Sequence, residues 1–162
     1  MAIAVGDMLP DASFKIMTGE GPAEITVAQL FTGRKAILFA VPGAFTPTCH
    51  VRHLPGYIEN YDKIRAAGVQ EIAVVAVNDV FVMDAWKKSS PGAEGKVTFL
   101  ADGSADFAKA IGMELDATAH GLGIRSKRYA MVVDDRKVVA LEVEDVPSTA
   151  ERSGAAAILD LI

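Results

Sequence analysis

The feature that most restricts how this chain can fold is an apolar strand that leads through a short loop into a helix. Residues 36–41, Ala-Ile-Leu-Phe-Ala-Val, are continuously apolar, which is the pattern of a central strand covered on both faces. Pro42 ends this run, and Thr46 followed by Pro47 matches an N-cap with proline at the first helical position. The pattern therefore predicts a strand, a short loop and a helix that carries Cys49 in its first turn.

Cys49 is the only cysteine of the chain, and its position predicts a reactive thiol. Unpaired backbone N–H groups and the positive end of the helix dipole meet in a first helical turn, and both favour the nucleophilic thiolate. Thr46 lies three residues earlier, so its hydroxyl can cap the helix and also approach the sulfur. Two simpler readings stay open, since a lone cysteine can be a small buried apolar residue and Thr46 a plain N-cap. The polar neighbours His50 and His53 favour the reactive thiol.

Strands and helices alternate along most of the remaining chain. This order predicts an α/β protein with a mixed central sheet, flanking helices and an N-terminal hairpin, in a single domain over residues 1–162. The expected elements are a hairpin of 13–17 and 23–27, a helical turn at 27–31, a helix to Ala67 kinked at Pro55, strands at 72–77 and 96–100, helices at 80–89 and 105–112, a loop at 113–126, strands at 127–133 and 137–143, and a helix after a capping box at 148–151.

A basic cluster lies at the entry to one predicted strand and consists of Arg125, Lys127 and Arg128. A guanidinium on the Cys49 side of the sheet would hold a thiolate and polarise a bound oxygen. Alternation along the strand puts Lys127 and Arg128 on opposite faces, so one of them points inward, and charge alone does not say which. A solvated basic turn explains Lys127 equally well, and it could explain Arg125.

Three other chemistries are weakly supported. A metal site at Cys49 and His53 would need further ligands, and the chain offers only His50 and His120 besides. A Cys/His hydrolase would need a histidine presented to the sulfur, and adjacent first-turn residues point apart. The pair Gly121 and Gly123 lacks the third glycine and the strand-to-helix context of a nucleotide-binding loop.

Composition limits the partners and the compartment. The net charge is −5 and the sequence pI about 5.2, which argues against a nucleic-acid surface. No basic region followed by an apolar stretch marks a signal peptide, and no apolar run approaches the length that spans a bilayer. We therefore expect a soluble protein of a reducing compartment, most simply the cytoplasm, without nucleic-acid or membrane partners.

Several motifs together resemble the type II, or peroxiredoxin-5-like, peroxiredoxins. The matching residues, in chain order, are PGAFTPTC at 42–49, HLPG at 53–56, Val-Asn-Asp at 77–79, Phe81-Val82, Trp86, Ala101-Asp102 and Lys-Arg-Tyr at 127–129. The resemblance implies a thioredoxin-like fold and a cofactor-independent thiol peroxidase acting on hydrogen peroxide and alkyl hydroperoxides. It makes Cys49 the peroxidatic cysteine, Thr46 the residue that bonds thiolate and peroxide, Pro42 a shield and Arg128 the active-site arginine. Gly43, Thr46, Cys49 and Arg128 would bind the substrate.

The chain departs from many members of this family because it has no second, resolving cysteine. Val74 and, approximately, Arg152 occupy the two places where relatives carry one. An external thiol must then restore the enzyme, and we expect glutathione with glutaredoxin rather than thioredoxin. The alternatives are a peroxide sensor or redox relay that passes oxidation to a partner, and a non-catalytic thioredoxin-like binding module.

Assembly is the last expectation. The large apolar residues at Phe45, Val80, Phe81 and Trp86 exceed what one small core must bury. In similar proteins this region lies at a homodimer contact beside the active site. We therefore expect a homodimer in which Phe45, Val80 and Phe81 form the contact.

Overall fold

A computed structural model describes residues 2–146 and 148–162 of the chain. The elements in order are β1 (Ser13–Thr18), β2 (Gly21–Thr26), α1 (Val27–Phe31), β3 (Lys35–Val41), a π-helical turn (Cys49–His53), α2 (Leu54–Glu59), α3 (Tyr61–Ala66), β4 (Glu71–Ala76), α4 (Val80–Lys88), β5 (Thr98–Ala101), α5 (Asp106–Ala110), β6 (Glu114–Asp116), a 3-10 turn (Thr118–His120), β7 (Ile124–Ser126), β8 (Tyr129–Asp134), β9 (Lys137–Val143) and α6 (Ala155–Leu159). Across these two ranges, no helix has the length and apolar character that crossing a membrane requires.

A seven-stranded mixed sheet forms the centre of the fold, with the strand order β2-β1-β5-β4-β3-β8-β9. The strands β3, β4 and β5 are parallel, whereas β1, β2, β8 and β9 pair antiparallel. Every residue of β3 after Lys35 is buried, as its continuous apolar sequence predicts. The predicted mixed sheet, its flanking helices and the N-terminal hairpin are confirmed. Apolar cores cover both faces of the sheet, and Cys49 belongs to the core that also contains α2 and α4.

The helix that carries Cys49 is less regular than expected. Two helical residues, 47–48, lead into the π-helical turn, in which the N–H of Leu54 donates to the carbonyl of Cys49. This wide turn ends just before Pro55, which has no N–H to offer the carbonyl four residues earlier. The distortion is therefore where proline predicts one, in the form of a π turn. A second break at Asn60, which the sequence did not indicate, separates α2 from α3.

Two other expectations are wrong. The segment 113–126 is not a plain loop, because it contains the hairpin of β6 and β7. Residues 148–151 do not cap the last helix. That helix begins at Ala155 after Gly154, where a Cβ atom would lie 2.6 Å from the carbonyl oxygen of Ala150, closer than real Cβ contacts allow. The N–H groups of Arg152 and Ser153 instead donate to the Glu144 carboxylate, and the Thr149 hydroxyl lies within hydrogen-bond distance of both Glu144 and the Val146 carbonyl.

Candidate active site

The sulfur of Cys49 is fully buried just beyond the carboxyl end of β3 and lies within hydrogen-bond distance of two side chains, those of Thr46 and Arg128. The Thr46 hydroxyl oxygen lies 2.7 Å from Sγ, and Nη2 of Arg128 lies 2.9 Å from it. Burial alone favours a neutral thiol, whereas both donors and the permanent charge of the guanidinium favour the thiolate. The site therefore holds a sulfur that is shielded from bulk water and surrounded by groups that stabilise its negative charge.

Thr46 contacts both the sulfur and the loop that precedes the helix. Its Oγ1 lies 2.7 Å from the Gly43 carbonyl oxygen as well as 2.7 Å from Sγ. A hydroxyl has one hydrogen and a carbonyl only accepts. The Thr46 hydroxyl therefore donates either to the Gly43 carbonyl or to Sγ at any one time. The Thr46 carbonyl accepts the N–H of His50, which is the first hydrogen bond of the helix, but the Thr46 hydroxyl bonds to Gly43 and Sγ and does not act as the predicted side-chain cap. The Thr46 side chain is thus directed at the sulfur.

The loop of residues 42–46 is held from the end of β4. The side chain of Asn78 accepts the N–H of Ala44 at 2.9 Å. Gly43 is buried, and a Cβ at this position would lie 3.2 Å from both Arg125 Nη1 and Thr46 Cγ2. Phe45 adopts φ of +64°, a conformation that costs a non-glycine residue about 1–3 kcal/mol and needs support from its surroundings. Asn78 was not identified as a site residue, although a polar residue just after a buried parallel strand was a usable signal.

Arg128 is held by His53 on its other side. Nη1 of Arg128 lies 2.9 Å from His53 Nδ1, and His53 Nε2 lies 2.9 Å from the Ser153 carbonyl oxygen. Since a carbonyl can only accept, Nε2 carries the hydrogen and Nδ1 accepts from the guanidinium. Burial, and after it the charge of Arg128, lower the pKa of His53 to about 3. At neutral pH His53 is an uncharged acceptor that orients Arg128 without cancelling its charge.

This geometry does not support the Cys/His hydrolase. The recorded hydrogen bonds of His53 are with Arg128 and Ser153. His50 Nδ1 accepts the indole N–H of Trp86 at 3.0 Å. Both histidines near Cys49, His50 and His53, thus bond to groups other than the sulfur. Over residues 2–146 and 148–162 no three His, Cys, Asp or Glu residues group closely enough to hold a metal ion.

The remaining predicted residues lie at different distances from the chemistry. Arg128 is the inward member of the basic cluster, and Lys127 is exposed. Both precede β8 instead of lying within it. Arg125 is half-buried, with Nη1 donating to the Val77 carbonyl at 3.1 Å, so it is more than a solvated turn residue. Pro42 is half-buried directly after β3, and its shielding role stays a prediction.

The expected dimer residues fall into two groups. The side chains of Val80 and Trp86 are buried within the chain, and Trp86 packs edge-on against Phe99. The expectation that these two exceed the core is therefore wrong, because α4 packs its apolar face on the sheet. Phe45 is 47% exposed and Phe81 65% exposed. Only these two remain as apolar surface for the predicted contact.

Sequence reasoning missed the part of the site that comes from the C-terminal segment. The Ser153 carbonyl accepts from His53 and from the Tyr57 hydroxyl. Thr48 Oγ1 donates to the Ser148 carbonyl at 3.0 Å. No local pattern announces these contacts, since they join residues about one hundred positions apart.

Comparison with known proteins places this site in a family. The Redoxin family model matches residues 4–159. Peroxiredoxin-2E-2, chloroplastic, of Oryza sativa subsp. japonica is 50% identical over 147 residues, covering 88% of this chain but 65% of that protein. Peroxiredoxin-2C of the same organism is 48% identical over 145 residues, covering 88% of both chains. The crystal structure of reduced Prx3 from Vibrio vulnificus in complex with hydrogen peroxide shares 49% identity and a TM-score of 0.92, covering 98% of each chain. The fold, the site and these relatives agree that this chain belongs to the peroxiredoxins, within their type II group.

Proposed function

We propose that the protein is a thiol-dependent peroxidase that reduces hydrogen peroxide and alkyl hydroperoxides at Cys49. The observation that carries the proposal is the buried sulfur, which accepts hydrogen bonds from both Thr46 and Arg128. Such an arrangement favours a nucleophilic thiolate that is shielded from bulk water. The similar Prx3 from Vibrio vulnificus, solved in its reduced form with hydrogen peroxide, supports this substrate.

In the proposed reaction the Cys49 thiolate attacks one oxygen of the peroxide along the O–O axis. The S–O bond forms as the O–O bond breaks, so the sulfur is oxidised to a sulfenic acid and the peroxide is reduced. The departing oxygen leaves with the electron pair and takes up a proton to become water or an alcohol. Arg128 stabilises the negative charge as it moves from sulfur to oxygen, and the Thr46 hydroxyl orients the peroxide.

Regeneration requires a thiol from outside the chain, because Cys49 is its only cysteine. An external thiolate attacks the sulfenic sulfur and releases water, and a second thiol then reduces the mixed disulfide. We favour glutathione because Cys49 is buried and a small thiol needs less room to reach it than a protein thiol does, and glutaredoxin because it resolves glutathione disulfides. A reducing compartment such as the cytoplasm would keep this thiol available.

Treatment with peroxide and glutathione is expected to give one glutathione adduct at Cys49 and sustained turnover when glutaredoxin is present. Mass spectrometry of the intact protein and the rate of peroxide loss would measure both, with Cys49→Ser as the control that forms no adduct. An unmodified monomer with turnover supported only by thioredoxin would refute the glutathione route. Loss of one equivalent of peroxide without turnover under any thiol would favour the sensor or relay instead.

We further propose that the protein is a homodimer in which the exposed rings of Phe45 and Phe81 lie at the contact. Replacing Phe81 with serine should then shift sedimentation at micromolar concentration from a dimer toward a 17 kDa species. Val139→Ser is a matched control, since Val139 is also an exposed apolar side chain but lies on β9. A 17 kDa species for the unmodified protein would contradict the dimer.

A further inference from the structure

A buried carboxylate, Glu144, is connected to the reactive sulfur through a chain of hydrogen bonds. We propose that Glu144 is a positioning residue that keeps Arg128 directed at Cys49, acting through Ser153 and His53. The effect on peroxide reduction rests on the proposed function, whereas the effect on the state of the thiol does not.

The carboxylate of Glu144 holds the C-terminal segment in place. Glu144 is 8% exposed, and its Oε2 accepts both the N–H and the hydroxyl of Ser153 at 2.6 Å. Its Oε1 accepts from Thr149 Oγ1 at 3.2 Å and from the Arg152 N–H at 3.3 Å. Four donors from three residues thus converge on one side chain, and they fix where the Ser153 carbonyl points.

The same residue is anchored to the backbone that carries the arginine. The N–H of Glu144 donates to the Arg128 carbonyl at 3.0 Å, continuing the pairing of β8 and β9. Glu144 therefore links the segment that presents the Ser153 carbonyl to the residue that presents the guanidinium. Movement of one relative to the other would strain this pair of contacts.

The Ser153 carbonyl determines which nitrogen of His53 carries the hydrogen. It accepts from Nε2, which leaves a lone pair on Nδ1 for Arg128 Nη1. If the carbonyl moved away, the His53 ring could adopt the other tautomer, with its hydrogen on Nδ1. An N–H of His53 would then face an N–H of Arg128. That arrangement is repulsive, and it would turn the guanidinium away from its 2.9 Å contact with Sγ.

The Glu144 carboxylate is ionised at neutral pH. Removing its charge should therefore shift the titration of the Cys49 thiolate in a direction that reveals its role. Burial favours the neutral form, but the hydrogen bonds from Ser153, Arg152 and Thr149 outweigh it and hold the pKa of Glu144 below its ordinary value. A negative charge acting directly on Cys49 would destabilise the thiolate. A positioning role stabilises the thiolate, so the two effects of removing this charge are opposite.

The test is the Glu144→Gln variant, which keeps the side-chain shape but can accept at only one of its two positions. In a titration of thiolate absorbance we expect the midpoint to move to higher pH. The alkylation rate of Cys49 at neutral pH should fall about tenfold relative to its rate at high pH, comparable to the loss of one hydrogen bond to a charged group. Asp145→Asn removes the same charge from the next residue, whose side chain is 81% exposed, and should change neither quantity.

Each outcome decides the proposal. A midpoint that moves to lower pH would show that Glu144 acts as a charge. A lower melting temperature with an unchanged midpoint would show a structural role only. If Glu144→Gln does not fold, Ser153→Ala removes one of the two 2.6 Å bonds and must move the midpoint in the same direction by a smaller amount. A shifted midpoint in a protein without peroxidase turnover would support the positioning role and refute the proposed function.

Discussion

Replacing Arg128 with alanine is expected to slow the oxidation of Cys49 by hydrogen peroxide by about 10²- to 10³-fold, the loss typical of removing one donor that stabilises transition-state charge. The guanidinium of Arg128 contacts Sγ directly, so the variant loses stabilisation of the thiolate and of the developing oxygen charge together. The second-order rate constant should be measured on the reduced protein in a single turnover, so that the reductant does not affect the result. Cys49→Ser sets the baseline, because it removes the nucleophile.

The chain supplies matched controls for this experiment. Lys127→Ala removes a neighbouring exposed cation and should leave the rate nearly unchanged. Arg125→Ala should fall between the two, since Arg125 supports the Val77 carbonyl beside the Gly43 loop without contacting the sulfur. Arg128→Lys keeps the charge but cannot reproduce the planar fork that reaches His53 and Cys49, and it should restore only part of the rate. Equal losses in the three alanine variants would contradict the assignment of Arg128.

Acidification from pH 7 to about pH 4.5 is expected to remove roughly 2–3 kcal/mol of folding stability through His53 alone. Burial and Arg128 lower the pKa of His53 to about 3 in the folded protein, from an ordinary value of 6.5. Between these two values the unfolded chain binds more protons than the folded one. The free energy of unfolding therefore falls as the pH drops below 6.5, and this loss stops growing near pH 3.

Urea unfolding at the two pH values would measure the loss. A glutamine at position 53 can still accept from Arg128 and donate to Ser153, but it does not titrate. The free energy of unfolding of the His53→Gln protein should therefore fall less between the two pH values, by the amount attributed to His53. His120→Gln is the matched control, because His120 is exposed and should leave the pH dependence as it is. The comparison of variants is needed because the pKa of Glu144 is also lowered in the folded protein, so protonation of Glu144 in acid removes further folding stability. A His53→Gln protein with the same pH dependence as the unmodified one would contradict the prediction.

The parts of the fold that sequence reasoning found are those with a strong local pattern. The strands β3 and β4 are continuously apolar because both faces of the sheet are covered, and α4 begins where Asp79 caps it. The strands β6 and β7 have three residues each, too few to establish an alternation. The capping box at 148–151 failed because the N–H groups of Arg152 and Ser153 donate to the Glu144 carboxylate instead of entering a helix, and the local pattern does not show this.

The candidate site divides in the same way. Thr46 and Cys49 are three residues apart, so the start of a helix suffices to bring them together. Arg128 came from the motif that the chain shares with peroxiredoxins, because charge could not choose it over Lys127. The contacts of His53 with Arg128 and Ser153 depend on how the sheet and the last segment pack, and the sequence around each residue carries no sign of them.

The wide separation of the site's parts along the chain affects when the cysteine becomes reactive during biosynthesis. Arg128 lies 79 positions after Cys49, and Ser153 lies 100 positions after His53. Contacts of such high sequence separation form only once the intervening chain has been made and folded. A nascent chain in which residues 128–153 have not yet emerged from the ribosome lacks the contact of Arg128 with Sγ and the contact of Ser153 with His53. The contacts that stabilise the Cys49 thiolate are therefore complete only once the C-terminal part of the chain has folded. A molecule in which that part has unfolded loses them in the same way.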